Sequence, residues 1–191
     1  AQVDAFQETY GPCDTMQHSI TIGRSGSRNY SQDSIQHLNG LAGIKEIQGS
    51  LDIYYQRRLI DFTGLSSLER VEGNLVFDRN GVDHRDLSEY QIDLPNLVYA
   101  IGIFIREGSQ HDYSYLTGFS ADNLIELGNL VVQNYRSLRS LSLAKLRTIS
   151  GDLILNATSI TGLTLSSLEE VGRDLTIKQQ NLADLEGLTG L

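Results

Sequence analysis

One pattern recurs along this chain: a spaced apolar run leads through a glycine-containing turn into a short alternating strand. In the clearest copy, apolar residues at three-residue spacing from Leu65 lead to Gly73 and then to the alternating segment Leu75–Phe77. Further copies begin at Ile44, Leu143 and Leu165. Self-similarity at a fixed period predicts that each copy is one structural unit stacked on the next. Stacked units present extended surfaces, so the pattern favours an exposed recognition surface over a buried catalytic pocket.

Seven short segments with alternating apolar residues are the predicted strand cores of the repeat. They are Ile20–Ile22, Leu51–Ile53, Leu75–Phe77, Ile103–Ile105, Leu130–Val132, Leu153–Leu155 and Leu175–Ile177. The last two intervals between strand starts are 23 and 22 residues, within the roughly 20–29 residues of a leucine-rich repeat. The prediction is therefore a mainly β, parallel solenoid of about seven turns with short helices or none, forming a single domain over residues 1–191.

A glycine precedes four of the strand cores, where a solenoid corner must turn sharply. These glycines are Gly49, Gly73, Gly102 and Gly151. The residue after the glycine is a small polar turn former in three copies, whereas Ile103 follows Gly102. Asparagines also trail several strands, but their offsets vary, so a strict asparagine ladder is not expected.

Three segments depart from the repeat, at residues 23–34, 80–93 and 107–122. Insertions in solenoids form loops that are often on the binding face. Function is therefore expected in the irregular turns from Leu51 to Val132, and the regular turns from Leu143 onward are interpreted as scaffold. Residues 1–18 are predicted to be an N-terminal capping segment. The repeat stops in mid-turn at Leu191, so we expect either that the native protein continues beyond it or that this end packs against something else.

The pattern L-x-x-L-x-x-V-x-G-x-L-x-F at Leu65–Phe77 resembles that of the receptor L domain, and the similarity extends from about Cys13 to Leu191. Receptor L domains form the ligand-binding lobes of insulin-type and epidermal-growth-factor-type receptors, and similar repeats occur in fungal cell-wall and bacterial surface proteins. The resemblance implies a right-handed, leucine-rich-repeat-like solenoid in a secreted or cell-surface protein. Animal receptor L domains are rich in cysteine at their ends. Because only Cys13 is present here, the chain fits a bacterial envelope protein better.

Composition excludes some partners. The formal net charge is −9, and nucleic-acid binding needs a basic footprint that this chain lacks. No apolar run approaches the roughly 18 residues that would cross a bilayer. A single cysteine forms no intramolecular disulfide and no zinc site by itself. No positively charged segment followed by an apolar stretch opens the chain, so either the protein is cytosolic or a signal peptide is missing; the resemblance favours an extracytoplasmic location.

Catalytic patterns are absent from the sequence. None of the four histidines lies at metal-ligand spacing from another histidine or from the cysteine. The segment Asp78–Asp83 has the oxygen-rich look of part of a calcium loop, but its spacing fits a polar turn better. The in-register positions just after the strand cores are Tyr54, Asp78, Arg106, Gln133, Asn156 and Lys178, and no pair of carboxylates lines up among them. We therefore predict no enzyme, no cofactor and no metal.

Tyrosine and arginine in the irregular turns are the predicted ligand contacts, because both are enriched at recognition hot spots. The candidates are Tyr54, Tyr55, Arg57, Tyr113, Tyr115 and Tyr135. The alternative is that these tyrosines merely decorate exposed strands, which they suit. The predicted function is a recognition or adhesion module for a protein or glycan on another cell or in the envelope. Two alternatives stay open: an envelope or cell-wall unit that self-associates end to end, and a carbohydrate-active β-helix enzyme.

Overall fold

A computed structural model describes residues 11, 13–23, 35–80, 90–107, 115–156, 159–178 and 181–191. The described chain is mainly β and forms a parallel β-solenoid of about five turns. It contains no α-helix, and three short 3₁₀ segments lie at Asn39–Leu41, Thr63–Leu65 and Glu186–Leu188. The predicted β-solenoid is confirmed, whereas the count of seven turns is not. Parts of the predicted capping segment and of all three insertions lie outside the described residues.

In the described part of the chain, fifteen strands form two parallel sheets. The strands are β1 (Thr15–Met16), β2 (Ile20–Ile22), β3 (Glu46–Ile47), β4 (Leu51–Tyr54), β5 (Arg70–Asp78), β6 (Gln91–Asp93), β7 (Tyr99–Arg106), β8 (Gly118–Ser120), β9 (Glu126–Gln133), β10 (Ser140–Ser142), β11 (Thr148–Ile149), β12 (Leu153–Asn156), β13 (Gly162–Thr164), β14 (Glu170–Val171) and β15 (Leu175–Lys178). The short wall is a four-stranded sheet in the order β13-β10-β8-β6.

The long sheet has eleven strands in two columns. The first column runs β1-β3-β5-β7-β9-β11-β14, and the second joins β2, β4, β5, β7, β9, β12 and β15. Strands β5, β7 and β9 belong to both columns because they run through the corner between them. All seven predicted strand cores lie in the second column, and each pairs with its neighbour in the predicted register.

Apolar side chains that alternate along each strand fill the interior of the coil. Leu51, Leu75, Ile103, Leu130 and Leu153 are each 0% exposed and succeed one another from turn to turn. Such burial of apolar surface is the main favourable contribution to the folded state. Aromatic rings add to this core in the first half of the chain, where Phe62 and Phe77 meet edge to face with their centroids 5.8 Å apart.

A ladder of side-chain hydrogen bonds stabilises the corner between the two columns. The Ser50 amide donates to Ser19 Oγ and the Asn74 amide to Ser50 Oγ, each over 3.0 Å. Further along, the Asp152 amide donates to Asn129 Oδ1 over 3.0 Å, and the ladder continues to the next turn. Each such bond satisfies a corner amide that strand pairing leaves free.

The ladder is interrupted at Gly102, which lies in register with both Asn74 and Asn129. Ile103 pairs with Leu75 and belongs to the core, so comparing it with the polar residues that follow the other glycines was wrong. The register shifts between Val71 and Asn74, because the corner of β7 is one residue shorter than that of β5. The irregular copy is thus a shortened corner with the polar residue replaced by glycine.

Candidate functional site

The outward side chains of β4, β5 and β7 form a mixed aromatic and charged surface, which we call the Tyr54 face. Its members are Asp52, Tyr54, Asp78, Phe104 and Arg106, all partly or fully exposed. Tyr54 pairs with Asp78, and Asp78 pairs with Arg106, as the in-register comparison of the sequence predicted. The same row continues through Gln133 to Asn156 and Lys178.

Two carboxylates flank Tyr54 on this face. Burial raises the pKa of Tyr54, and the negative charges of Asp52 and Asp78 raise it further, while Arg106 opposes the shift. Burial also raises the pKa of Asp52 and of Asp78, the latter against the lowering effect of Arg106. Only Asp78 lies in the predicted row. Asp52 comes two residues before Tyr54 on the same face of the strand. The sequence comparison missed this second acid because it considered only the positions just after each strand core.

The corner after β4 gathers a second cluster around Tyr55. Tyr55 and Arg79 follow consecutive strands and both have positive φ, at 54° and 56°. The Arg79 Cζ lies 4.7 Å from the centroid of the Tyr55 ring, a cation–π distance. Arg79 Nε also lies 3.4 Å from Asp78 Oδ1, an ion pair that lacks hydrogen-bond alignment. Tyr55 is therefore held against its own chain on one side.

The predicted contact residues divide into separate groups. Tyr54, Tyr55 and half-buried Arg57 lie together at the end of β4. Tyr115 is half-buried and packs against the core before β8. Tyr135 was wrongly assigned to the surface, because its side chain is 1% exposed. Burial raises the pKa of Tyr90, and the nearby Tyr135 raises it further. Tyr113 lies outside the described residues.

A second surface, which the sequence did not reveal, is an exposed apolar cluster on the first column. We call it the apolar patch and define it by Val98, Tyr99, Ile101 and Ile125. Val98, Ile101 and Ile125 are 41%, 44% and 46% exposed. Val98 and Ile125 are neighbours on successive turns, since the Ile125 amide points to the Val98 carbonyl. An exposed cluster of large apolar side chains is a candidate interaction surface.

The side chain of Ile101 is not covered by the residue beside it on the next turn. In the register of β7 and β9, Ile101 lies next to Gly128. A Cβ at Gly128 would lie 2.2 Å from the Ile101 carbonyl oxygen, so only glycine permits this approach of the two strands. The shortened corner therefore both exposes Ile101 and denies it a covering side chain from the next turn.

Charged residues surround the patch. In the row of Val98 and Ile125, the turns on one side carry Lys45 and Glu69, whose charges are 3.8 Å apart. The turns on the other side carry Arg147 and Glu169, whose charges are 3.9 Å apart. The Arg70 guanidinium lies over the Tyr99 ring, 4.0 Å from its centroid. An apolar centre with a charged, solvent-exposed rim is the anatomy of a protein–protein contact.

The rim has more acids than bases. Its cations are Lys45, Arg70 and Arg147, and its carboxylates are Glu46, Glu69, Glu72, Glu126, Glu169 and Glu170. The rim therefore carries an excess of negative charge, as the whole chain does at −9. At physiological salt the electric field of such a rim reaches about 8–10 Å before it is screened.

Metal sites and membrane-spanning helices were also sought among the described residues. Within the residues that the structure describes, no three histidine, cysteine, aspartate or glutamate side chains are grouped so that they could hold a metal ion. No helix in this part of the chain is both long and apolar enough to cross a membrane.

The fold and its surfaces define the class of protein as a parallel β-solenoid with outward-facing aromatic, acidic and apolar side chains. In comparisons with known proteins, no protein family, no curated protein and no solved structure matches the chain.

Proposed function

We propose that the chain is a non-catalytic module that recognises another protein through the apolar patch. The observation that carries this proposal is the break in one surface row. The row bears charged residues in the turns before and after, and bears Val98 and Ile125 in the two turns between them. A solvated row has no need of apolar residues, whereas a contact surface does.

The rigidity of the patch supports the same function. Val98 and Ile125 directly precede β7 and β9, which pair along almost their whole length. Strands in the middle of a sheet present side chains with little loss of conformational freedom on binding. Tyr99 is a suitable anchor, because its ring is wide and it is already oriented by Arg70.

The chemistry of the partner follows from the rim. An excess of carboxylates around an apolar centre favours a partner with exposed aliphatic or aromatic residues ringed by lysine or arginine. Such complementary charge raises the rate of association more than it raises the affinity. We therefore expect binding that weakens as the salt concentration rises.

Four finer points belong to this proposal. The chain is a receptor L-type, leucine-rich-repeat-like solenoid, it coils in the right-handed sense that parallel crossovers favour, and it has seven turns. The seven strand cores that pair one after another in the second column support the count. The native location is extracytoplasmic, secreted or at the cell surface, which the Leu65–Phe77 pattern and the single Cys13 support.

The test is selection of a displayed random-peptide library on the immobilised protein. We expect enriched peptides to combine large apolar residues with lysine or arginine. The double variant Val98→Lys/Ile125→Lys should lose at least about tenfold in affinity for them, as hot-spot residues do. Both side chains are exposed, so this variant should keep the folded state.

The matched control is Ser140→Lys/Thr164→Lys, which adds the same two charges at exposed positions of the four-stranded sheet. It should bind the enriched peptides as the wild type does. An equal loss of affinity in both variants would mean that added net charge alone causes the loss. Unchanged affinity in the patch variant would rule out the patch as the binding surface. Sedimentation of the wild type, run beside it, shows whether the partner is a second copy.

A second candidate function, glycan binding, is favoured by the Tyr54 face. Tyrosine offers a flat apolar ring with a polar end, and carboxylates and arginine are strong partners for sugar hydroxyls. The Tyr54 face brings one tyrosine together with two acids and Arg106.

Glycan-array binding tests this second candidate. We expect Tyr54→Ala to abolish binding, Tyr54→Phe to retain part of it, and Lys178→Ala, on the same row at β15, to leave it unchanged. Glycans that bind Tyr54→Ala as well as they bind the wild type would contradict the assignment.

A further inference from the structure

The short wall of the solenoid contains a gap in its backbone hydrogen bonding. At one position of each turn an amide donates to the carbonyl of the next turn. Four such bonds run from Leu94, Ala121, Leu143 and Leu165 to Ser120, Ser142, Thr164 and Gly187, and all are 2.9–3.0 Å long. The Leu38 amide likewise donates to the Asp61 carbonyl over 3.2 Å.

The equivalent bond is missing between Phe62 and Asp93. Phe62 occupies the position of Leu38 and Leu94 in the repeat, but no backbone hydrogen bond joins Ile60–Ser66 to Gln91–Pro95 in the described part of the chain. Accordingly β6 ends the four-stranded sheet, and among the described strands it pairs only with β8. A strand edge with free amides and carbonyls is a template for another strand.

A cavity lies at this gap. Its volume is about 330 Å³, and Ile60, Asp61, Thr63, Gln91, Asp93 and Pro95 are among its lining residues. The inner side remains closed, because the Phe62 and Tyr90 rings pack with their centroids 5.7 Å apart. The gap is therefore a slot that opens outward, and we call it the β6 slot.

Two carboxylates of the slot have no cation partner among the residues that the structure describes. Asp61 Oδ1 accepts the Thr63 amide over 2.8 Å, and Asp93 Oδ1 accepts the Ser120 hydroxyl over 2.5 Å. No ion pair engages Asp61 or Asp93 among the described residues. Elsewhere on the surface carboxylates such as Glu69 do face a cation. The slot thus offers negative charge beside free backbone groups.

We propose that the β6 slot binds an extended basic peptide, which adds to the edge of β6 as a further strand. The peptide backbone would pair with the free groups of Gln91 and Asp93, and a lysine or arginine side chain would lie between Asp61 and Asp93. Strand addition to an exposed edge, with side-chain pockets for specificity, is an established mode of peptide recognition. The volume of the slot, near the lower limit of about 300 Å³ for ligand pockets, fits only a few residues.

The slot is independent of the apolar patch, because the two lie on different sheets of the coil. Their occupants also differ: the patch takes a folded surface with an apolar centre, and the slot takes a short extended segment.

The test uses a fluorescently labelled, capped peptide of alternating valine and lysine, with binding measured by anisotropy. We expect the lysine peptide to bind and the same peptide with glutamate in place of lysine not to bind. Methylation of the alternate backbone amides should abolish binding, because it removes the donors of a strand. Asp61→Asn/Asp93→Asn should weaken binding about fivefold to tenfold, which is the scale of partly exposed charge pairs.

The controls separate the slot from net charge and from the patch. Glu169→Gln/Glu170→Gln removes two charges elsewhere and should leave the affinity within about twofold, as should Val98→Lys/Ile125→Lys. If Asp61→Asn/Asp93→Asn fails to fold, Ile60→Lys at the mouth of the slot should abolish binding by repulsion. Binding that tolerates amide methylation, that survives the slot variants, or that is lost in the patch variant would overturn the proposal.

Discussion

The middle turns and the C-terminal turns share one core but differ at the corner. In the middle turns β5, β7 and β9 are 9, 8 and 8 residues long and run through both columns. In the C-terminal turns β11 and β12 are separate strands of 2 and 4 residues, with Asp152 between them. The inward residues match in both regions, so the difference lies in what the turns show to solvent.

This comparison separates scaffold from surface. A regular turn has a polar residue at the corner and charged residues before the corner. These side chains keep that surface of the first column solvated. The shortened corner of β7 and β9 removes the polar residue at Gly102 and brings Ile101 to the surface. Because the interior stays the same, the corner can change without loss of the fold, and function is free to vary there.

The largest expected effect concerns the aromatic core of the middle turns. Phe77 is 0% exposed and its ring packs near both Phe62 and Phe119. Phe77→Ala should lower the free energy of unfolding by about 3–5 kcal/mol, whereas Leu155→Ala at the equivalent position should cost about 2–4 kcal/mol. Urea denaturation measures both. A smaller loss for Phe77→Ala than for Leu155→Ala would show that the aromatic core is not the tighter one.

The next effect concerns the corner ladder, which joins the two regions at Asn129. Asn129→Ala leaves the Asp152 amide without its acceptor, so stability should fall by about 1–2 kcal/mol. Lys178→Ala, at an exposed position of β15, should change stability by less than about 0.5 kcal/mol. Thermal unfolding measures the stability of both variants. Equal losses of stability would mean that the ladder does not stabilise the fold.

A smaller effect is the pH dependence of the Tyr54 face. The folded-state pKa of Asp78 is raised above the ordinary value of 3.8, so the ionised carboxylate disfavours the folded state. Its contribution to stability is therefore fully favourable below pH 3.8 and is lost as pH rises through the raised pKa. Asp78→Asn should gain stability over the wild type between pH 3 and pH 7. A variant whose relative stability falls over that interval would contradict the burial argument.

The smallest effect belongs to the charges around the patch. Arg147 and Glu169 are 66% and 65% exposed, so Glu169→Gln should change stability by at most about 0.5 kcal/mol. Chemical denaturation in low salt is the measurement. A loss above about 1 kcal/mol would mean that the rim stabilises the fold and is more than a contact surface.

Much of the architecture could be predicted from the sequence, because strand alternation and a fixed period are local signals. The row from Tyr54 through Asp78 to Arg106 was predicted by counting from the strand starts. The polar ladder was missed because the residues that directly follow each glycine were compared with one another. In the β7 copy the glycine itself, Gly102, occupies the ladder position, so that comparison was out of register.

The surfaces were harder to predict, because the same residue types occur in the core and at contact surfaces and the sequence alone does not distinguish the two. Val98 and Ile125 resemble core residues until the register places them outside. Tyr135 is of a residue type that is common at contact surfaces, yet its side chain is buried. The β6 slot has no sequence signature at all, since a missing backbone bond depends on how two turns diverge.

Amide hydrogen exchange with a library-selected peptide bound tests the division between surface and scaffold most directly. If the middle turns carry recognition, the peptide should slow exchange in β7 and β9 and leave β12 and β15 at their unbound rates. Protection confined to β12 and β15, with none in β7 and β9, would contradict the account.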